Sequence, residues 1–187
     1  MNVGVDEAGR GCIYGPVSAG AVIWDDRITH EYLRDSKTLS KRQKAIMYDF
    51  VLEHAIDYGV ALVHADVIDS HNILQATQSA MHSALDSLSL DFDLIQVDGN
   101  FFKPYKVHAH ECIIKGDSKV KSIAAASILA KVTHDNWILD HIVNDSEEDQ
   151  YSLRSNMGYC TKKHVIAVRN FGQHLHHRKT FKLPMNT

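Results

Sequence analysis

Residues 3–11, Val-Gly-Val-Asp-Glu-Ala-Gly-Arg-Gly, contain the pattern from which the rest of the sequence is interpreted. Val3 and Val5 alternate with small or polar residues, which predicts a strand that begins almost at the first residue. A second apolar run of strand length follows at residues 17–24, and the glycines between the two runs predict a turn. The N-terminal segment is therefore predicted to fold as an antiparallel hairpin.

The apolar residues beyond the hairpin recur at helical and extended spacings in turn. Helices are predicted at residues 40–55, 73–88, 119–143 and 161–170, and strands at residues 57–65, 93–98 and 106–115. Ser40 and Thr161 are suited to cap the first and the last of these helices. Strands that repeatedly precede helices predict an α/β fold with a mixed central sheet flanked by helices.

The composition is that of an ordinary globular chain. Its 187 residues are 44% hydrophobic and 23% charged, which suits one domain or one domain with a small appendage. Cys12, Cys112 and Cys160 form no Cys-x-x-Cys pair, so neither a disulfide framework nor a zinc site is indicated. Early charges argue against a secretory signal, and no uncharged run approaches the roughly 18 residues that a membrane span needs. We therefore expect a cytoplasmic protein without a membrane segment.

Charge is unevenly distributed along the sequence. The net charge is −3, but residues 150–187 carry +7 and the first 149 residues carry −10. An acidic body with a basic C-terminal stretch suits metal-binding carboxylates in one place and phosphate contacts in another. A solvated helix face explains the basic stretch equally well on charge alone.

Four carboxylates stand where a strand is predicted to end or a helix to begin. They are Asp6, Glu7, Asp98 and Asp117. Carboxylates that cluster raise one another's pKa, and divalent cations such as Mg²⁺ relieve that repulsion through oxygen ligands. A chain with 23 acidic residues has several near strand ends by chance, so spacing alone leaves the metal site as one interpretation.

The adjacent carboxylates Asp6 and Glu7 pose a geometric problem. Neighbouring residues on a regular strand point to opposite faces of the sheet. Both can serve one site only if the strand bends there or if one of them acts through its backbone carbonyl. The glycines at positions 9 and 11 make a bend plausible.

Blocks of sequence from residue 3 to residue 181 resemble, in order, the ribonuclease HII family. The blocks are Val3–Gly11 with Gly15-Pro16, Asp35–Leu39, Asn72–Thr77, Val97–Gly99, Lys115–Asp117 with Ile123–Val132, Gly158-Tyr159 with Thr161 and His164, and His177–Phe181. The resemblance implies an RNase H-like fold with a small helical C-terminal part. It divides the chain into a catalytic domain over residues 1–150 and a basic helical segment over residues 151–187 that completes the substrate site.

The same resemblance implies a reaction and its metal ligands. Asp6, Glu7, Asp98 and Asp117 would hold two Mg²⁺ or Mn²⁺ ions. The phosphodiester on the 5′ side of a ribonucleotide would be hydrolysed, leaving 3′-hydroxyl and 5′-phosphate ends. The substrates would be RNA–DNA hybrids and single ribonucleotides embedded in duplex DNA.

The substrate contacts implied by the resemblance centre on Gly9-Arg10-Gly11, which would read the ribose 2′-hydroxyl. Tyr159 would pack against the next sugar, and Lys37 is a further substrate-binding candidate. Glycines let the backbone approach a sugar, and the 2′-hydroxyl is what distinguishes RNA from DNA at one site. On the residues alone, a hairpin turn and a core tyrosine are the simpler explanations. His134 and Cys160 depart from the family pattern, in which Arg and Gly are common.

Other functions remain open at this point. A different nuclease of the same fold, such as a resolvase, would share the carboxylates and lack the Gly-Arg-Gly segment. A non-catalytic RNA–DNA binding module would lack at least one carboxylate, and a small-molecule phosphatase receives no support from the basic tail. His174, His176 and His177 are expected to lie in a solvent-exposed tail rather than to form a metal site. The protein is taken to be a monomer by default.

Overall fold

A computed structural model describes residues 1–33, 39–144 and 149–184. In these parts of the chain the strands are Asn2–Ala8 (β1), Val17–Ile23 (β2), Asp57–Val63 (β3), Leu94–Asp98 (β4) and Ala109–Ile113 (β5). They form one sheet in the order β3-β2-β1-β4-β5, with antiparallel pairing among the first three and parallel pairing from β1 to β5. The predicted mixed sheet and N-terminal hairpin are confirmed.

The helices surround this sheet. They are Lys41–His54 (α1), Ala65–His71 (α2), Ile73–Asp86 (α3), Lys121–Asn144 (α4), Leu153–Asn156 (α5) and Lys162–Phe171 (α6), with a 3-10 turn at Gly116–Ser118. The strand predicted at 57–65 ends at residue 63 because α2, which was not predicted, begins at residue 65. The strand predicted at 106–115 is confined to β5, and α5 was also not predicted.

Local hydrogen bonds explain where the main helices begin. The Ser40 hydroxyl accepts from the Gln43 N–H, and the Gln43 side chain accepts from the Ser40 N–H, which forms a capping box at α1. The Thr161 hydroxyl accepts from the His164 N–H at the start of α6. Both caps agree with the sequence-based prediction.

Helices α3 and α4 cover opposite faces of the sheet. Val3 and Val5 of β1 are fully buried in the core beneath α3. On the other face, a Cβ at Gly4 would stand 2.2 Å from the Ser122 carbonyl carbon of α4. A glycine is therefore required for α4 to approach β1 so closely. The first turn of α4 thus lies over the middle of β1, and later residues of the helix reach the carboxyl end of β1, where Ser127 bonds to Asp6.

The C-terminal segment packs against the loop after β1. Isolated β-bridges join Cys12 to Tyr159 and Tyr14 to His177. A cluster of buried apolar side chains links the second half of α4 to α5 and α6. The expectation of a solvent-exposed histidine tail is wrong for His177, whose side chain is 1% exposed because the loop and α6 enclose it. No described helix is long and apolar enough to cross a membrane.

Candidate active site

A cleft of about 500 Å³ opens at the carboxyl ends of β1 and β4. In open α/β sheets, functional groups gather at this edge. The lining residues are Asp6, Glu7, Ala8, Gly9, Arg10, Gly11, Lys44, Asp98, Ser127, Lys131 and Tyr159. Acidic, basic and glycine-rich segments thus face one another across a single cleft.

Asp6 and Asp98 lie side by side because of the parallel pairing of their strands. The register Val5↔Val97 places the next residue of each strand at the same level of the sheet and on the same face. Asp6 Oδ1 accepts from the Glu7 N–H at 2.7 Å. Asp98 Oδ1 accepts from the Gly116 N–H at 2.7 Å. The two carboxylates are therefore fixed by backbone donors as well as by the sheet.

The surroundings of Asp6 and Glu7 disfavour the ionised forms of these two side chains. Burial raises the pKa of Asp6 well above its ordinary value, the neighbouring Glu7 and Asp98 raise it further, and a hydrogen bond from Ser127 opposes the change. Burial also raises the pKa of Glu7, against the effect of Arg10 and with a contribution from Asp98. Oxygen donors that repel one another fit a hard divalent cation, which would favour their ionised forms.

Glu7 reaches this cleft although it follows Asp6 directly. Its side chain is 16% exposed, and Arg10 Nη1 donates to Glu7 Oε1 at 3.1 Å. Strand β1 ends at Ala8, and Gly9 has a φ of +84°, so the chain turns immediately after the two acids. The strand keeps its pairing with β2 through Ala8, so it does not bend between the two acids; the chain turns only at Gly9, and both acids nevertheless line the cleft.

Asp117 occupies a different position from the other three carboxylates. It lies in the 3-10 turn at the start of α4 and is 6% exposed. It lines an adjacent cavity of about 230 Å³ with residues of α4, while its neighbour Gly116 bonds to Asp98. Within the described ranges, no three His, Cys, Asp or Glu side chains are grouped closely enough to hold a metal ion.

The Gly9–Gly11 segment forms one wall of the cleft in a conformation that needs glycine. A Cβ at Gly9 would meet His134 Cδ2 at 2.4 Å, in addition to the strain of the positive φ. His134, which stands where Arg is common in the family, is fully buried, and its Nδ1 lies 3.0 Å from Asp135 Oδ1. It supports the loop from beneath and lies outside the cleft lining.

Tyr159 forms the facing wall and is 39% exposed. The Lys131 ammonium lies 5.0 Å from the centre of its ring and bonds to Asp135 at 2.8 Å. The two walls are joined by the bridge between Cys12 and Tyr159. The core position considered for this tyrosine is therefore excluded by its exposure.

Three polar residues that line the cleft, Ser127, Lys131 and Lys44, were not predicted as site residues from the sequence. Ser127 and Lys131 are polar residues four apart on an otherwise apolar side of α4, and this pattern indicates a face turned toward a site. Lys44 of α1 carried no comparable signal. Burial, followed by the charge of Lys131, lowers the pKa of Lys44, so two cations lie near each other at this wall. Lys37 lies outside the described residues.

Comparison with known proteins identifies similar chains. The family model described as Ribonuclease HII matches residues 3–183. The Ribonuclease HII of Christiangramia forsetii is 49% identical over 96% of this chain and 89% of its own length. Such a match covers both walls of the cleft and the C-terminal segment.

Solved structures share the fold. The ribonuclease H2 from Pyrococcus horikoshii OT3 superposes with a TM-score of 0.79 at 27% identity, covering 97% of this chain and 93% of that one. Bst-RNase HIII in complex with Mn²⁺ is more distant, with a TM-score of 0.66 at 16% identity over 91% of this chain and 62% of that one. The predicted RNase H-like fold is confirmed.

Proposed function

Because the chain belongs to the ribonuclease HII family and is therefore a ribonuclease H endonuclease, we propose that it hydrolyses the phosphodiester on the 5′ side of ribonucleotides in duplex nucleic acid. Its substrates are RNA–DNA hybrids and single ribonucleotides embedded in duplex DNA, and its products carry 3′-hydroxyl and 5′-phosphate ends. The observation that carries the proposal is the single cleft in which Asp6, Glu7 and Asp98 face the Gly9–Gly11 segment.

The proposed cofactors are two divalent ions, Mg²⁺ or Mn²⁺. The residues that would hold them are Asp6, Glu7, Asp98 and Asp117. The raised pKa values of Asp6 and Glu7, whose ionised forms a divalent cation would favour, support this assignment, as does the Mn²⁺ complex of Bst-RNase HIII, a protein of the same fold. When bound, such ions supply charge to the attacking and leaving oxygens of an in-line displacement.

The protein's own residues position the nucleic acid around the carboxylates. Burial and then the charge of Lys131 lower the pKa of Lys44, and a backbone phosphate beside the two lysines would favour the charged form of Lys44. A second hollow of about 430 Å³ continues from the cleft past the same two lysines and Tyr159. This hollow would extend the path of a nucleic-acid strand beyond the carboxylates.

Recognition of the ribose is assigned to the two walls of the cleft. Without side chains at positions 9 and 11, the backbone of the Gly9–Gly11 segment can approach a sugar edge. The 2′-hydroxyl both donates and accepts, so backbone groups suffice to distinguish it from a deoxyribose. Tyr159 offers an apolar face with a polar tip against which the next sugar would pack. Lys37 remains a proposed substrate contact.

The remaining assignments concern partners and organisation. We assign residues 1–150 to a catalytic domain and residues 151–187 to the segment that completes the substrate site. The partner is RNA–DNA hybrid or ribonucleotide-containing duplex DNA, and the proposed working form is a cytoplasmic monomer.

A nicking assay tests the proposal. Three end-labelled duplexes of one sequence are compared: all DNA, DNA with one ribonucleotide, and an RNA–DNA hybrid, each with Mg²⁺, Mn²⁺ or EDTA. We expect metal-dependent cutting of the second and third duplexes, and no cutting of any duplex by Asp98→Asn, which should still bind. Folded protein that leaves the single ribonucleotide intact contradicts the proposal, and equal cutting of all-DNA duplex indicates a different nuclease of this fold.

A further inference from the structure

We propose that His177 and Arg178, adjacent residues of the C-terminal segment, are positioning residues that hold the Gly9–Gly11 segment and Tyr159 at the distance required to read a ribose. The inference rests on the proposed function, because it names what sets the specificity of the same cleft. Both side chains lie behind the cleft walls, and each acts on a wall through a backbone carbonyl.

Arg178 is fixed to the loop that carries Arg10. Its guanidinium is 1% exposed, and Nη1 donates to the Arg10 carbonyl at 3.0 Å. Nε donates to the Gly15 carbonyl at 3.0 Å, and Nη2 donates to the Pro16 carbonyl at 2.8 Å. No described carboxylate forms an ion pair with this guanidinium. A rigid fork of donors is required to bind three carbonyls at once, and a lysine ammonium lacks this geometry.

His177 acts on the other wall through His164. The backbone N–H of His174 donates to His177 Nδ1 at 2.8 Å, so the proton of the neutral His177 ring is on Nε2. That group donates to His164 Nε2 at 3.0 Å, which leaves the His164 proton on Nδ1. His164 Nδ1 then donates to the Tyr159 carbonyl at 3.0 Å. A single directed chain of hydrogen bonds therefore ends on the residue that forms the cleft wall.

The two contacts originate from one short stretch of backbone. The Arg178 N–H donates to the Ile13 carbonyl at 2.8 Å, and Tyr14 bridges to His177. Moving this stretch would displace both walls together, since Cys12 also bridges to Tyr159. Hydrogen bonds to the Arg10 and Tyr159 carbonyls set where each wall lies and leave the Tyr159 side chain in the cleft. The structure thus assigns His177 and Arg178 a role in discrimination rather than in bond cleavage.

A matched pair of variants at His164 separates positioning from packing. His177 fixes the tautomer that makes His164 Nδ1 a donor; His164→Asn places an amide N–H where Nδ1 stands, so it retains the bond to Tyr159 and needs no tautomer to be fixed by His177. His164→Gln places its amide where Nε2 stands, toward His177, and loses the bond to Tyr159. Arg178→Lys keeps the charge and loses the fork, while Lys179→Gln removes an exposed positive charge from the same segment as a control.

Binding is measured with Ca²⁺ in place of Mg²⁺, on duplex DNA with and without one ribonucleotide. We expect Arg178→Lys and His164→Gln to reduce the preference for the ribonucleotide duplex by about tenfold, the effect of losing one well-placed hydrogen bond. His164→Asn and Lys179→Gln should keep the wild-type preference. Urea unfolding establishes whether each variant is folded. If Arg178→Lys is not folded, the two His164 variants alone test the positioning role. Long-range proton–nitrogen correlation spectra should show the His164 proton on Nδ1.

The outcomes separate this inference from the proposed function. If wild-type protein prefers the ribonucleotide duplex but cuts nothing, the proposed function fails and the variants still decide the positioning role. If it cuts as proposed and His164→Gln and Arg178→Lys keep the full preference, the positioning role is overturned. A wild-type protein without any preference, or a His164 proton on Nε2, also overturns it.

Discussion

Acid should destabilise this protein through His177, and the size of the effect follows from its surroundings. Burial lowers the pKa of His177 to about 4, with a further contribution from His164, His174 and His176. The rings of Tyr14 and Tyr151 complete its environment. In the unfolded chain the same histidine titrates near its ordinary pKa of 6.5.

The direction of the change in stability depends on whether the folded or the unfolded chain binds the proton. Between the two pKa values the unfolded chain is protonated at His177 and the folded protein is not, so stability is fully present above 6.5 and is lost as the pH falls toward 4. At about 1.4 kcal/mol for each unit of difference, acidification from about pH 7.5 to about pH 4.5 should remove about 2.5 kcal/mol of unfolding free energy.

Urea unfolding at a series of pH values measures this loss, with His177→Gln as the reference. The glutamine keeps a donor toward His164 and has no titrating group. Wild-type protein should lose about 2.5 kcal/mol more than the variant over the same pH range, whatever the other titrating groups contribute to both. Parallel profiles, or a wild-type protein that gains stability relative to the variant in acid, would show that the pKa of His177 is not lowered by folding.

Three further substitutions test the cleft, and a fourth, Gly172→Ala, is a control outside it. Asp6→Asn removes an ionised carboxylate whose pKa is raised, so in EDTA at about pH 8 the thermal midpoint of the variant should exceed that of wild type. Added Mg²⁺ should raise only the wild-type midpoint. A variant with the lower midpoint in EDTA would argue against repulsion among the acidic residues. Gly9→Ala should lose about 1–3 kcal/mol of stability through its positive φ, with further loss from the contact with His134, and should lose ribonucleotide preference. Gly172→Ala, which has a similar φ and open space, should show only the conformational loss in urea and keep that preference. Tyr159→Ala should impair cutting at a single ribonucleotide more than cutting of a hybrid, and equal rates on both would remove its proposed role.

Much of the fold was accessible from local patterns. The alternation in β1 and the apolar run of β2 predicted the hairpin, and the helical periodicity predicted α3 and α4 to within a few residues. Helix α2 escaped prediction because seven residues contain too few turns for a periodicity, and its neighbour β3 was extended into it. The length of β5 was overestimated because turns occupy residues 106–107 and 114–115 at the two ends of the predicted range.

The candidate site was accessible only in part. Asp6 and Asp98 could be paired because parallel strands bring their carboxyl ends to one edge, but Asp117 lies in a 3-10 turn whose course has no such rule. The burial of His177 and Arg178 depends on contacts with residues more than 100 positions earlier, which no local pattern reveals. The position of Lys44 in the cleft likewise depends on the packing of α1 against α4, which no local pattern reveals.

Mapping the nick at nucleotide resolution tests whether one cleft both reads the 2′-hydroxyl and cuts beside it. Matched duplexes carry a single ribonucleotide, a 2′-O-methyl nucleotide or a deoxynucleotide at the same position. We expect one metal-dependent nick on the 5′ side of the ribonucleotide, with a 3′-hydroxyl end, and an intact strand in the other two duplexes. A nick elsewhere, or cutting that persists when the 2′-hydroxyl is blocked or absent, would contradict it.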